Sequence, residues 1–172
     1  MNMFSKEGEY QVKKIATVLS LSLVVGLVAV PAAAEAKSKA PRCAAVTEAQ
    51  VDGLFKQFND GFQTQNPDVM TPLFSRDAAL LPTMSGKMRT DAASIRAYFV
   101  DFLLNKPFGT VTESETTLGC NTATRVGNWT VKLTNPKTGE VTDVAARFSF
   151  IYVYEDRKWK IAHLHSSLRP AG

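Results

Sequence analysis

Cysteine and histidine are scarce, with two of each in 172 residues. That scarcity excludes a disulfide-dense scaffold and any metal framework built from repeated Cys and His ligands. Glycine and proline are sparse too, at 10 and 8, which excludes collagen-like and low-complexity chains. No run of five or six like charges occurs. The formal net charge is +4, but the cations are scattered singly and no basic helix face carries interleaved aromatics. A nucleic-acid partner is therefore not expected. What remains is 45% hydrophobic and 21% charged, a balance that fits one packed globular domain rather than a disordered chain.

Long apolar runs are absent except near the amino terminus. Lys6, Lys13 and Lys14 precede a weakly polar to apolar stretch from Ile15 to Val30, and Pro31-Ala32-Ala33-Ala34-Glu35-Ala36 follows. That order predicts a secretory signal over residues 1–36, cleaved near 34–36 after Ala32-x-Ala34 or Ala34-x-Ala36. The stretch is shorter than the ~20 residues a bilayer crossing needs, so no stable membrane insertion is expected after cleavage. The chain is then destined for the periplasm or the extracellular space. In such an oxidising compartment a Cys43–Cys120 disulfide is the default reading, and a pair of buried free thiols is the alternative.

Residues 37–46 read as a short flexible lead-in, and a domain over 47–170 follows. Thr47 and Gln50 form a capping box before a helix whose Val51, Leu54, Phe55, Phe58 and Phe62 make one aromatic stripe. Gly61 and Asn66-Pro67 are expected to end it, with a short helical turn over Asp68 to Phe74. Ala78 to Met84 suggests a strand that Pro82 confines to a sheet edge. Thr90 or Asp91 then caps a helix burying Ile95, Tyr98, Phe99, Phe102 and Leu103, which stops at Asn105-Lys106-Pro107. Beyond it the period changes from helical to alternating. Phe108 to Leu118, Asn121 to Leu133, Val141 to Glu155 and Trp159 to Ser167 are long strand candidates. Helices followed by consecutive strands predict an α+β fold: a curved antiparallel sheet packed on two to three amino-terminal helices, with room for a small ligand between them.

One carboxy-terminal stretch is more specific than a strand pair. Ala146-Arg147-Phe148-Ser149-Phe150-Ile151-Tyr152, followed by Lys158-Trp159-Lys160-Ile161-Ala162-His163-Leu164-His165-Ser166-Ser167, resembles the end of the calcium/calmodulin-dependent protein kinase II association domain and its secreted bacterial relatives. Asp91 to Phe99 is similar to the second long helix of that group, and the resemblance spans roughly residues 45 to 170. The resemblance implies the cone-shaped nuclear transport factor 2-like fold of the SnoaL-like superfamily. It also implies self-assembly into a homodimer or larger ring, and a pocket inside the cone that some superfamily members use for isomerisation or cyclisation. Kinase activity is not implied, since no glycine-rich nucleotide loop, His-Arg-Asp or Asp-Phe-Gly is present. The kinase-linked branch presents arginines to its pocket, whereas the best-matched positions here hold Phe150 and Ser166. Arg89, Arg96, Arg125 and Arg147 remain as possible anion partners.

Alternation along the last strand groups Trp159, Ile161, His163 and His165 on one face and Ala162, Leu164 and Ser166 on the other. Small and apolar residues suit the cone interior, which puts Trp159, His163 and His165 on the outer face as interface residues. The same alternation sends Phe148, Phe150 and Tyr152 inward. The expected ligand-pocket set is Phe55, Phe58, Tyr98, Phe148, Phe150, Tyr152, Leu164 and Ser166. The expected ligand is small and apolar or weakly polar, with no cofactor. Isomerase chemistry needs a carboxylate base and a phenol or acid to hold an enolate. Asp77, Tyr98, Asp101 and Tyr152 supply those residue types, and His163 or His165 would serve as a base only with the opposite facing. Zinc capture by the two histidines would need a third ligand from elsewhere, and no metal is expected. The Asn128-Trp129-Thr130 sequon falls in an expected strand and reads as accidental; Trp129 is expected in core or interface packing.

Overall fold

Thr47 accepts a hydrogen bond from the Gln50 amide at 3.2 Å, and the Gln50 side chain accepts one from the Thr47 amide at 2.8 Å. This reciprocal cap opens α1 (Glu48–Gln63). The computed structural model describes residues 43–170. The expected signal segment, and positions 37–42 of the expected lead-in, lie outside the described residues. At the start of the described chain Cys43 is bridged to Cys120, 77 residues away, and the Ala44 amide donates to Asn121 Oδ1 at 2.7 Å.

Gly61 does not end α1, contrary to expectation. It lies inside the helix, where a Cβ would stand 2.5 Å from the Met70 sulfur, so its missing side chain admits Met70. The short α2 (Pro67–Met70) is capped by Asn66 and runs into a 3-10 turn. β1 (Phe74–Leu81) begins earlier than the sequence suggests and stops at Pro82, which has no amide to extend a ladder. Asp91, not Thr90, caps α3 (Ala92–Phe102) by accepting from the Ser94 amide at 2.8 Å. Lys106 then turns the chain in a left-handed conformation. The four long strands follow: β2 (Phe108–Leu118), β3 (Thr122–Thr134), β4 (Val141–Glu155) and β5 (Lys158–Leu168).

The five strands form one sheet in the order β1-β5-β4-β3-β2. β2 to β5 are antiparallel, but β1 runs parallel to β5, so the sheet is not antiparallel throughout. β1 occupies an edge, as expected, with Pro82 lying just beyond its end. The sheet curves around α1 and α3, and its concave face carries Phe148, Phe150 and Tyr152 from β4, while Arg147, Ser149 and Ile151 point away. Asn59 of α1 locks this packing to the start of β2. Its Nδ2 donates to the Gly109 carbonyl at 2.9 Å and its Oδ1 accepts the Gly109 amide at 2.8 Å. Replacing Asn59 by Ala strands both buried backbone groups and should cost about 3 kcal/mol, measured by urea unfolding.

Simple alternation fails in β5, at a point that matters for the site, as it does in β2 between Val111 and Glu113. Tyr152 pairs with Ile161 while the adjacent Ile151 pairs with His163, so Ala162 is an extra residue, a bulge that resets the phase. Ile161 and Leu164 are therefore both buried. This corrects the expected grouping: Trp159 packs against the core and Ile161 lies within it, on the side opposite the histidines. The outward facing of His163 and His165 and the inward facing of Leu164 and Ser166 agree with the sequence reading.

Candidate functional site

α3 and the inner face of the sheet do not close completely on one another. A cavity of about 40 Å³ lies between Phe62, Tyr98 and Phe102 on the helix side and Trp129, Val144 and Leu164 on the sheet side. Its walls are almost wholly apolar. The exceptions are Tyr98 and the end formed by Thr83 and Ser166, where the Thr83 and Ser166 hydroxyls are 2.6 Å apart and the Trp129 indole N–H donates to Ser166 Oγ at 3.2 Å. The neighbouring Arg89–Leu80 bridge, closed by backbone bonds of 2.8 and 2.9 Å, holds the loop that carries Thr83 and Met84 against the end of β1.

Met84, Tyr98 and Phe102 also border an outer groove of about 530 Å³ between this loop and α3. Arg89 stands over the Tyr98 ring, 5.8 Å from its centroid, and Asp101 lies on the groove wall. Burial pushes the Tyr98 phenol well above its ordinary range, and the Arg89 charge only partly opposes this. At neutral pH Tyr98 is therefore a hydrogen-bond donor and not a base.

The expected pocket residues divide into two groups. Phe58, Tyr98, Leu164 and Ser166 line the cavity. Phe55, Phe148, Phe150 and Tyr152 do not; they point inward as expected, but α1 lies against them. Phe55 stacks on Phe148 at 6.0 Å between ring centroids and meets Phe150 edge-on at 5.8 Å, filling the space with side chains. Tyr152 is fully buried and, among the described residues, its hydroxyl has no partner. Burial raises its pKa, Arg125 opposes the rise and Asp52 adds to it. Thr83 and Met84, in a loop after the first strand, and Trp129, expected only as packing, are the cavity residues that sequence reasoning missed.

Among the catalytic candidates only Tyr98 reaches the cavity. Asp77 is exposed on β1 and Asp101 stays in the outer groove. His163 and His165 face outward, paired across β4 with Ile151 and Ser149. Among the described residues no group of three His, Cys, Asp or Glu is placed to share a metal ion. The arginines are mostly engaged. Arg96 is paired with Asp68 at 2.7 Å. Arg125 is paired with Asp52 at 2.9 Å and lies over the Phe55 ring. Arg147 bonds the Leu168 carbonyl at 3.4 Å. Arg89 alone of the four borders the groove.

His163 is partly buried, and burial, assisted by the nearby His165 charge, holds its pKa below the ordinary 6.5. Its folded form thus resists a proton that the unfolded chain accepts. Stability should be highest above the unfolded value, fall as pH drops through it, and level off below the folded value. Urea midpoints followed from neutrality to about pH 5.5 should show this loss, and His163→Gln should flatten it.

A sheet curled around amphipathic helices, with a slot between α3 and the sheet, defines a nuclear transport factor 2-like α+β fold. Solved structures agree. A Salmonella enterica protein of the nuclear transport factor 2-like superfamily superposes with a TM-score of 0.64 at 13% identity, covering 72% of this chain and 91% of its own. A candidate dehydratase of the same fold family from Streptomyces avermitilis gives 0.64 at 10% identity, over 72% and 97%. At such identities the likeness concerns the fold. A Xanthomonas campestris protein described under the kinase II association domain is more similar: 36% identical, TM-score 0.71, covering 78% of this chain and 96% of that one. The model of the calcium/calmodulin dependent protein kinase II association domain matches residues 47–170, and the chain belongs to this family. The comparison with curated proteins gives no significant match.

Proposed function

We propose that this chain is an exported, self-assembling domain that binds a small, mainly apolar molecule and has no kinase activity. The observation that carries the reading is the cavity under α3: an apolar slot with few polar groups and a wide groove beside it. Such an arrangement is the usual form of a small-molecule site. Space for about three water molecules is present at rest, so a ligand enters by displacing the Met84 side chain, which is 59% exposed. Native mass spectrometry of protein purified without added ligand should reveal a retained small molecule, or uptake of an apolar probe; failure of both would overturn the reading.

Self-assembly rests on family membership and on the convex face of the sheet, where His163 and His165 lie with Ile151 and the exposed Val126. Light scattering at micromolar concentration should return a dimer or larger species, and a strict monomer removes this part. Export rests on the amino-terminal signal pattern and fits the Cys43–Cys120 bridge. An isomerase, cyclase or lyase is the second reading, favoured by one observation, the Tyr98 phenol on the cavity wall. It requires a base, and no carboxylate or imidazole is among the residues lining the cavity. Tyr98→Phe should abolish any turnover found, while leaving binding of an apolar probe intact.

A further inference from the structure

Three donors meet at one end of the cavity: the Trp129 indole N–H, the Ser166 hydroxyl and the Thr83 hydroxyl. Two hydrogen bonds connect them, Trp129 Nε1 to Ser166 Oγ and Thr83 Oγ1 to Ser166 Oγ. A chain of three donors joined by two bonds leaves one proton over, whichever way the hydroxyl pair is oriented. If Thr83 donates, the Ser166 proton is the spare one; if Ser166 donates, the Thr83 proton is. Neither hydroxyl makes any other side-chain hydrogen bond among the described residues; Ser166 is more than nine-tenths buried and Thr83 partly so, and apart from Tyr98 the remaining walls are apolar. With Thr83 donating, the spare proton is that of buried Ser166, and a buried hydroxyl proton without an acceptor carries a desolvation penalty that a ligand acceptor would remove.

We infer that the occupant of this cavity is a neutral, mainly apolar molecule with one oxygen acceptor, of the ketone, ester or ether kind, seated against the Thr83–Ser166 pair. This inference rests on the small-molecule reading above and deepens it. The pair is a poor seat for a carboxylate, because no cation lines the cavity to compensate its charge. A hydrocarbon would leave the buried Ser166 proton unmet. Indole, serine and threonine thus define a polar point in an apolar slot, and the polar point sets orientation.

The test uses two isosteric probes, cyclopentanone and methylenecyclopentane, titrated by ligand-observed NMR into the full domain. The comparison variant is Thr83→Val/Ser166→Ala/Trp129→Phe, which removes all three donors together. Its larger cavity affects both probes, so the readout is the ketone-to-alkene affinity ratio, wild type over variant. The ratio should fall about tenfold in the variant, the scale of one buried hydrogen bond. An unchanged ratio, with both probes binding, overturns the acceptor inference and leaves the pocket reading standing. No binding of either probe to the wild type overturns the pocket reading itself. Should the variant not fold, the wild type alone decides through the infrared carbonyl stretch of bound, isotope-labelled cyclopentanone. A red shift from its position in hexane supports the inference, and an unshifted band overturns it.

Discussion

Replacing Cys43 and Cys120 together by Ser should lower the unfolding free energy by about 4 kcal/mol, the largest single loss expected from a change remote from the core. The bridge closes a loop of 77 residues that contains all three helices, β1 and β2. Without it the unfolded chain regains the conformational freedom of that loop, and the cost grows with the logarithm of loop length. The native state also loses local order. Cys120 lies in the turn between β2 and β3, where Asn121 takes a left-handed conformation and accepts the Ala44 amide. Freed from the bridge, the segment before α1 keeps the Ala44–Asn121 hydrogen bond and the packing of Val46 on the core. The urea midpoint should therefore move strongly while the slope of the transition rises, because an uncrosslinked unfolded chain exposes more surface. Adding reductant to the wild type should reproduce the shift, and an unchanged midpoint would show that the bridge adds nothing to folding.

The domain was largely legible in its sequence because its signals are local. Thr47 with Gln50, and Asp91 with Ser94, are caps that a few residues specify. The strand alternation after Pro107 places all four long strands to within a residue, since a strand's period survives without knowledge of its neighbours. The parallel pairing of β1 with β5 is a different kind of fact: it joins Phe74 to Ile161 across most of the domain, and no local pattern encodes it. The bulge at Ala162 was hidden for a related reason. Alternation predicts its own continuation, and only the register against β4 reveals the extra residue. The error it caused, Trp159 and Ile161 assigned to the face of the histidines, ended as soon as the phase was reset, so His163 to Ser166 were placed on the faces they occupy. The site was less legible. Inward-facing aromatics look alike in sequence, but whether a Phe lines a void or fills one depends on where α1 and α3 lie above the sheet. Thr83 and Met84 carried no signal at all, because their role comes from a loop folded over the cavity mouth.

That division between filled and open space has a measurable consequence at Phe150. Its side chain is fully buried and touches aromatic rings on every side: Phe58 at 5.2 Å between centroids, Phe148 at 5.6 Å, Tyr152 at 5.7 Å, Phe55 at 5.8 Å and Trp129 at 6.2 Å. Phe150→Ala removes a large apolar group from a site whose neighbours come from three elements, α1, β3 and β4, and rigid surroundings of this kind collapse poorly onto a void. The expected loss is about 3–5 kcal/mol, from the transfer of the ring together with the empty volume left behind. Phe102 offers the matched control. It is partly exposed and already borders both the cavity and the outer groove, so its truncation widens an existing opening that solvent can enter. Phe102→Ala should cost no more than about half as much. Urea unfolding of the two variants separates the possibilities. Equal losses would mean that Phe150 lies beside open space as Phe102 does, and that the slot extends under α1 rather than ending at Trp129 and Phe58.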